Sequence, residues 1–267
     1  MSVTIEQRAR TANRVEEILV QIDRQGAVAR LVLNRADKYN VLSRAMIAAL
    51  KEALVSLASD PEVRVVVLAA EGKAFSAGHD LTEMGADVGI DELRALFAAC
   101  SDLMLTIRHL PQPVIARVQG LATAAGCQLV AMCDLAIASS DARFAVSGIN
   151  LGLFCATPSV ALSRNVSQKG ALEMLLTGDF IDAATARERG LVNRVVPLES
   201  LDSEIDRLTA SIAGKSAAAI ALGKRLFYEQ LELPIEAAYA RASEVMACNA
   251  VLDDARDGIA RFTKRIR

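Results

Sequence analysis

Up to about residue 140, short apolar runs alternate with longer stretches whose apolar positions recur every three or four residues. The runs at 18–22 (ILVQI) and 28–33 (VARLVL) read as two strands, with Asp23, Arg24, Gln25 and Gly26 as the turn between them. A helix starts after Ser43, a good N-cap. Its apolar positions Met46, Ile47, Leu50, Leu54 and Leu57 fall at helical spacing, and Asp60-Pro61 ends it. The unbroken apolar run at 65–69 (VVVLA) suits a parallel strand buried on both faces. A second helix follows over 91–109, then a strand at 113–118 (PVIARV), a short apolar helix at 124–132 and a strand at 135–138 (LAIA). This alternation predicts βαβ-type units.

Beyond about residue 165 the pattern turns almost wholly helical. The segment DAATARERG (182–190) is a short capped helix, with Asp182 at its N-cap and Gly190 just past its end. Helices over 198–213, 216–231, 234–249 and 252–265 follow. The organisation expected is an α/β core over 1–197 with a helical region over 198–267.

Composition narrows the picture. The chain has 267 residues, 52% of them hydrophobic, with no Trp, so its core must be aliphatic. Helices packed on a sheet suit that better than a β-sandwich. The net charge of −2 and the interspersed signs give no footprint for nucleic acid, and no basic stripe points to a membrane surface. No apolar run approaches the roughly 20 residues of a membrane span. The first 17 residues carry no apolar signal region, so a cytoplasmic location is expected. The five cysteines, Cys100, Cys127, Cys133, Cys155 and Cys248, lack CxxC spacing and read as free thiols.

Two stretches could carry chemistry. Ser76-Ala77-Gly78-His79 follows a strand and is crowded with small residues, so a ligand could approach its backbone closely. Leu121-Ala122-Thr123-Ala124-Ala125-Gly126 also follows a strand and opens a helix, whose first amides lack internal acceptors and sit at the positive end of the dipole. Paired with an N–H from the first loop, such an amide would stabilise an enolate oxygen. One such donor is worth about 3–4 kcal/mol of barrier. From the segments alone, two tight strand-to-helix turns would read the same way.

Four segments together carry a resemblance: LNRADKYNVL (33–42), GKAFSAGHDL (72–81), GLATAAGCQLVAMCDLAIAS with NLGLFCATPSVAL (120–139 and 150–162), and TGDFIDAATARERGLVNRVV (177–196). In this order and at these separations they resemble the crotonase (enoyl-CoA hydratase/isomerase) superfamily. The resemblance implies a spiral of ββα units with a helical C-terminal trimerisation region, assembled as a homotrimer or dimer of trimers. It also implies a lyase- or isomerase-type enzyme of fatty acid metabolism. Its ligand would be an acyl-CoA thioester, with coenzyme A part of the substrate and no separate cofactor or metal. The oxyanion-hole donors it implies are the amides of His79 and Ala125. For CoA it implies Arg35 and Lys38, then Lys73, Ala74, Ser76, Ala77, His79, Asp80 and Leu81, with Phe262 and Lys264 near the C-terminus. Asp37 stands where many members carry a basic residue. Lys38 is then a phosphate contact or a solvated surface lysine.

The chain departs from the family at the two carboxylates that hydratases use. Gln128 and Gly148 stand there, and neither exchanges a proton near neutral pH. A positioned acid or base is worth about 10²- to 10⁴-fold, so efficient two-glutamate hydration is not expected. The imidazole of His79 is expected to turn towards solvent, His109 to cap a helix, and Asp80 to serve the rim. Cys155 is expected beside the acyl pocket as packing, Cys127 in the core, and Asp134 in a structural role. Three readings remain: an altered hydratase-type enzyme, a decarboxylase of a malonyl-type thioester, and a non-catalytic acyl-CoA binder.

Overall fold

A computed structural model describes residues 18–266; the first 17 residues, which carry no apolar signal region, lie outside the described residues. Three consecutive stretches repeat one order, in which a strand of a large sheet leads to a strand of a smaller sheet and then to a helix. They are β3 (Val65–Ala70), β4 (Ala74–Ser76) and α2 (Ile90–His109); β5 (Val114–Val118), β6 (Leu121–Thr123) and α3 (Ala125–Met132); and β7 (Leu135–Ser139), β8 (Arg143–Ala145) and α4 (Ala156–Leu162). Ahead of them stand β1 (Val20–Gln25), β2 (Val28–Leu33) and α1 (Arg44–Ala58). After them come α5 (Gln168–Thr177), β9 (Ile181–Asp182), α6 (Ala183–Glu188) and β10 (Arg194–Val196). Four helices close the chain: α7 (Leu201–Ala213), α8 (Ala217–Gln230), α9 (Ile235–Ala250) and α10 (Asp253–Ile266). The large sheet has the order β1-β2-β3-β5-β7-β10 and the small one β4-β6-β8-β9. The expected spiral of ββα units is the fold observed.

The reason for the unbroken apolar run in β3 is visible in its packing. Val66, Leu68 and Ala70 join the main core with α1 and α2, while Val65 and Val67 meet Ile115, Ile137, Leu201 and Ile205 on the other face. Helix α7 therefore covers the second face of the large sheet. Arg30 and Arg117 both bind Asp202 at its first turn, the latter with Nη2 at 2.7 Å from Oδ2. Ser43 caps α1 as expected, accepting the Met46 N–H at 3.2 Å, and Asp182 caps α6 through the Thr185 N–H at 2.8 Å.

Two expectations are corrected. The turn expected at Asp23–Gly26 is shorter, because Asp23, Arg24 and Gln25 pair with Arg30, Ala29 and Val28 and leave only Gly26 and Ala27 outside the ladder. The region after 165 is not purely helical either. β9 pairs with β8 and β10 with β7, and strands of two or three residues carry no readable period.

Helix α8 is tied back to the core by a buried ion pair. Lys224 Nζ lies 2.7 Å from Asp134 Oδ2 and donates to the carbonyls of Ile107 and Gln112 at 2.9 and 3.0 Å. Asp134 also accepts the Tyr228 hydroxyl at 2.8 Å and the Val114 N–H at 2.7 Å. Further out, α9 packs on α8 and α10 on α9, with Phe227, Ile235, Tyr239, Met246 and Phe262 exposed. No helix among the described residues is long and apolar enough to cross a membrane.

Candidate active site

Parallel pairing fixes the site. Strand β6 lies between β4 and β8, with Ser76 opposite Ala122 and Thr123 opposite Ala145, so the loops that leave all three strands emerge side by side. The first loop is held from behind by Asn40, a fully buried side chain. Its Nδ2 donates to the carbonyls of Glu71 and Ala74 at 2.8 Å each, and its Oδ1 accepts the Arg35 N–H at 2.8 Å. Ser76 donates to the Asn40 carbonyl at 2.8 Å and accepts the Gly78 N–H at 3.2 Å. The Gly78 carbonyl accepts from Leu42 at 2.7 Å.

The second loop turns sharply. Ala124 has φ 50° and ψ −121°, a conformation that costs an L-residue roughly 1–3 kcal/mol. Its N–H donates to the Ala145 carbonyl at 3.0 Å, and its own carbonyl accepts the Gln128 N–H, the first bond of α3. The two loops touch through Gly78, at φ +89°. A Cβ there would stand 2.9 Å from Ala124 Cβ, 3.0 Å from the Thr123 oxygen and 3.1 Å from the Ala125 nitrogen. Among the described residues, neither the N–H of His79 nor that of Ala125 is spent on a hydrogen bond within the chain. Gly78 thus approaches Ala125 closely, and His79 and Ala125 both line the same cavity.

A cavity of about 440 Å³ opens there. Ala77, His79, Asp80 and Leu81 line it from the first loop, Ala124 and Ala125 from the second, and Ser147 and Gly148 from the third. Val41, Phe97, Leu151, Leu153, Phe154 and Cys155 make most of the remaining wall apolar. A larger cavity of about 860 Å³ lies between the end of α2 and helix α8 with the turn that follows it, and shares no lining residue with this one.

The electrostatics of the lining are sparse. Burial pushes the His79 imidazole below its ordinary value, against opposing help from the Leu42 carbonyl and from Glu83. The ring packs edge-on to Phe97 with centroids 5.5 Å apart, and Nε2 is buried without a partner among the described residues. The expected solvent-facing imidazole is therefore corrected: Phe97 supplies an aromatic wall that holds the ring inwards. Asp80 accepts from the Thr82 hydroxyl and N–H at 2.7 and 3.0 Å, which holds its carboxyl below the usual range, as Arg35 and Lys38 do more weakly. Burial raises the Cys155 thiol, and raises Cys127 behind it to about 12. All five cysteines are free.

The remaining expected site residues divide. Gln128 is buried, with Oε1 unpartnered among the described residues, and does not line the cavity. Ala74 and Ser76 are buried and support the first loop from behind. Lys38 and Lys73 are exposed, Lys38 near enough to act on Asp80. Phe262 and Lys264 are exposed on α10 and lie outside the cavity of this chain. Gly148 lines the wall with no room for more: a Cβ would lie 2.7 Å from both Cys155 Sγ and the Leu153 oxygen. Sequence reasoning passed over Asn40, Phe97 and the Ser147–Thr123 hydroxyl pair. Asn40 lies within the segment 33–42 and Thr123 within the segment 121–126, whereas Phe97 carries no such signal.

The chain belongs to the enoyl-CoA hydratase/isomerase family, whose model matches residues 23–267. It is 45% identical over 247 residues to the mitochondrial enoyl-CoA hydratase domain-containing protein 3 of Xenopus laevis, covering 92% of this chain and 84% of that one. Among solved structures it is similar to an enoyl-CoA hydratase of Mycobacterium smegmatis, with TM-score 0.91 and 57% identity over 92% and 96% of the two chains. The human enoyl-CoA hydratase domain-containing protein 3 follows with TM-score 0.90 and 43% identity over 92% and 98%. The expectation of a cytoplasmic location is overturned. The relatives of that name from frog, rat and human, at 44–45% identity, are named as mitochondrial, and an apolar signal region marks secretion, not mitochondrial targeting.

Proposed function

We propose that the protein binds an acyl-CoA thioester with its carbonyl oxygen between the amides of His79 and Ala125, and stabilises the enolate that forms there. The observation that supports this is the close approach of Gly78 to Ala125, with His79 and Ala125, whose N–H groups have no partner among the described residues, both lining one largely apolar cavity. Preorganised donors in such a setting act on developing charge without reorganising. Arg35 and Lys38, beside the Asp80 rim, supply positive charge for CoA phosphates. The apolar faces of α8, α9 and α10 support assembly as a trimer or dimer of trimers, through which Phe262 and Lys264 reach a neighbouring site.

The chemistry is not two-carboxylate hydration. Gln128 sits behind the wall, Gly148 has no side chain, and Asp80 is held ionised at the rim. A malonyl-type decarboxylase would want a cation for the substrate carboxylate, and no Lys or Arg lines the cavity among the described residues. A purely non-catalytic binder is the less supported reading too, since the cavity extends well past the two amides. The test is titration of the purified protein with crotonyl-CoA, followed by assay of its hydration. Saturable binding with turnover far below ordinary hydratase rates is expected. Rapid hydration would overturn the denial of acid–base chemistry, and absence of binding would overturn the whole reading.

A further inference from the structure

Three successive amides leave β4. The Ala77 N–H donates to the Tyr39 carbonyl at 3.0 Å and the Gly78 N–H to Ser76 Oγ at 3.2 Å, whereas the His79 N–H has no partner among the described residues. Its direction is nonetheless fixed. A trans peptide is planar, with its C=O and N–H on opposite sides, and the Gly78 carbonyl accepts the Leu42 N–H at 2.7 Å. Leu42 therefore clamps the Gly78–His79 peptide from one side, and the His79 N–H faces the other. The clamp is needed here, because Gly78, at φ +89°, has no Cβ to oppose rotation of that plane.

What sets Leu42 in place is the turn before it. Tyr39 and Asn40 both stand in the left-handed region, at φ 52° and 51°, which Asn tolerates better than most residues. Asn40 is fully buried. Its N–H and Oδ1 bind the carbonyl and N–H of Arg35 at 2.9 and 2.8 Å and close the turn on itself. Its Nδ2 donates to the Glu71 and Ala74 carbonyls, and its own carbonyl accepts the Ser76 hydroxyl, at 2.8 Å each. The same hydroxyl oxygen holds the Gly78 N–H. Asn40 and Ser76 thus join the 39–42 turn to the three amides that follow β4.

We propose that Asn40, acting through Ser76, is a positioning residue for the oxyanion hole. It holds the turn so that Leu42 keeps the His79 N–H, and not the Gly78 carbonyl, turned to the substrate. This rests on the oxyanion-hole reading above and adds the groups that set the donor's direction.

Infrared spectra of butyryl-CoA, isotope-labelled at the thioester carbonyl carbon and bound at saturation to the full chain, test it. Hydrogen bonds to the carbonyl oxygen lower its stretching frequency, and butyryl-CoA has no double bond to hydrate. The parent is expected to lower the stretch, Ser76→Ala to lower it less, and Asn40→Asp less again. Should Asn40→Asp fail to fold, Ser76→Ala decides, since it removes one hydroxyl and adds nothing. Gln112 separates positioning from mere stability. It is a buried amide that also donates to two carbonyls, those of Leu57 and Val63 at 2.9 and 3.3 Å, but it does not line the cavity. Gln112→Ala should lower the urea midpoint and leave the bound stretch at the parent's value. A parent-like stretch in folded Ser76→Ala, or an equal change in Gln112→Ala, overturns the positioning role and leaves the oxyanion hole standing. An unshifted stretch in the parent overturns both.

Discussion

A Cβ on Gly78 would lie 3.1 Å from the backbone nitrogen of Ala125, closer than an ordinary van der Waals contact. The two loops of the proposed oxyanion hole are thus held together by the absence of one methyl group. Gly78→Ala adds that methyl at φ +89°, where an L-residue is strained. The expected cost is about 1–3 kcal/mol of stability, with crotonyl-CoA affinity weakened about tenfold, the equivalent of roughly 1.4 kcal/mol. Urea unfolding and calorimetry check the two; unchanged affinity would mean the loops bind no carbonyl.

Gly148 holds the position where the family resemblance leads one to expect a carboxylate, and the wall has closed in around it. Its Cβ would meet the Leu153 carbonyl and Cys155 Sγ at 2.7 Å each. Gly148→Ala should cost about 1–3 kcal/mol by overpacking, and Gly148→Glu should gain no crotonyl-CoA hydration. A hydratase restored by that single change would show that the loop yields.

The Asp134–Lys224 pair lies almost wholly out of solvent, with side-chain exposures of 12% and 7%. Asp134→Ala strands an ammonium against the Ile107 and Gln112 carbonyls and leaves the Tyr228 hydroxyl without its acceptor. Removing one partner of a buried pair costs about 3–5 kcal/mol. The urea midpoint should drop accordingly, and a loss under about 1 kcal/mol would place the pair among weak surface contacts.

His79 is neutral in the fold at pH values where an unfolded chain would protonate it, since burial depresses its basicity below 6.5. Above that value both states are neutral and the group contributes nothing to pH dependence. As pH falls below 6.5 the unfolded state takes up the proton first, so stability declines until the folded pKa is reached. Denaturation midpoints between pH 7 and pH 5 should fall less steeply in His79→Gln than in the parent, with the Leu42 carbonyl and Glu83 opposing the shift. Parallel slopes would mean the imidazole is hydrated.

Much of this was legible in the chain. The unbroken VVVLAA of β3 announced a strand covered on both faces, and Ser43 and Asp182 announced their helices, because caps and buried strands act locally. The loops at Gly78 and Ala125 were legible as small-residue turns after strands. Their contact was not, since it depends on the β4–β6 pairing between distant segments. The inward His79 ring depends on Phe97, eighteen positions away on α2, and the blocked space at Gly148 depends on how residues 151–155 fold back. β9 and β10 were missed because two or three residues cannot show a period.

The central claim is most directly tested by the absorption of a conjugated thioester such as cinnamoyl-CoA on binding. Two amides on its carbonyl oxygen draw electron density along the conjugated chain, whether or not any reaction follows. The long-wavelength band should shift to the red in the parent and shift less in Gly78→Ala. Tight binding with an unshifted band would contradict the oxyanion hole at His79 and Ala125.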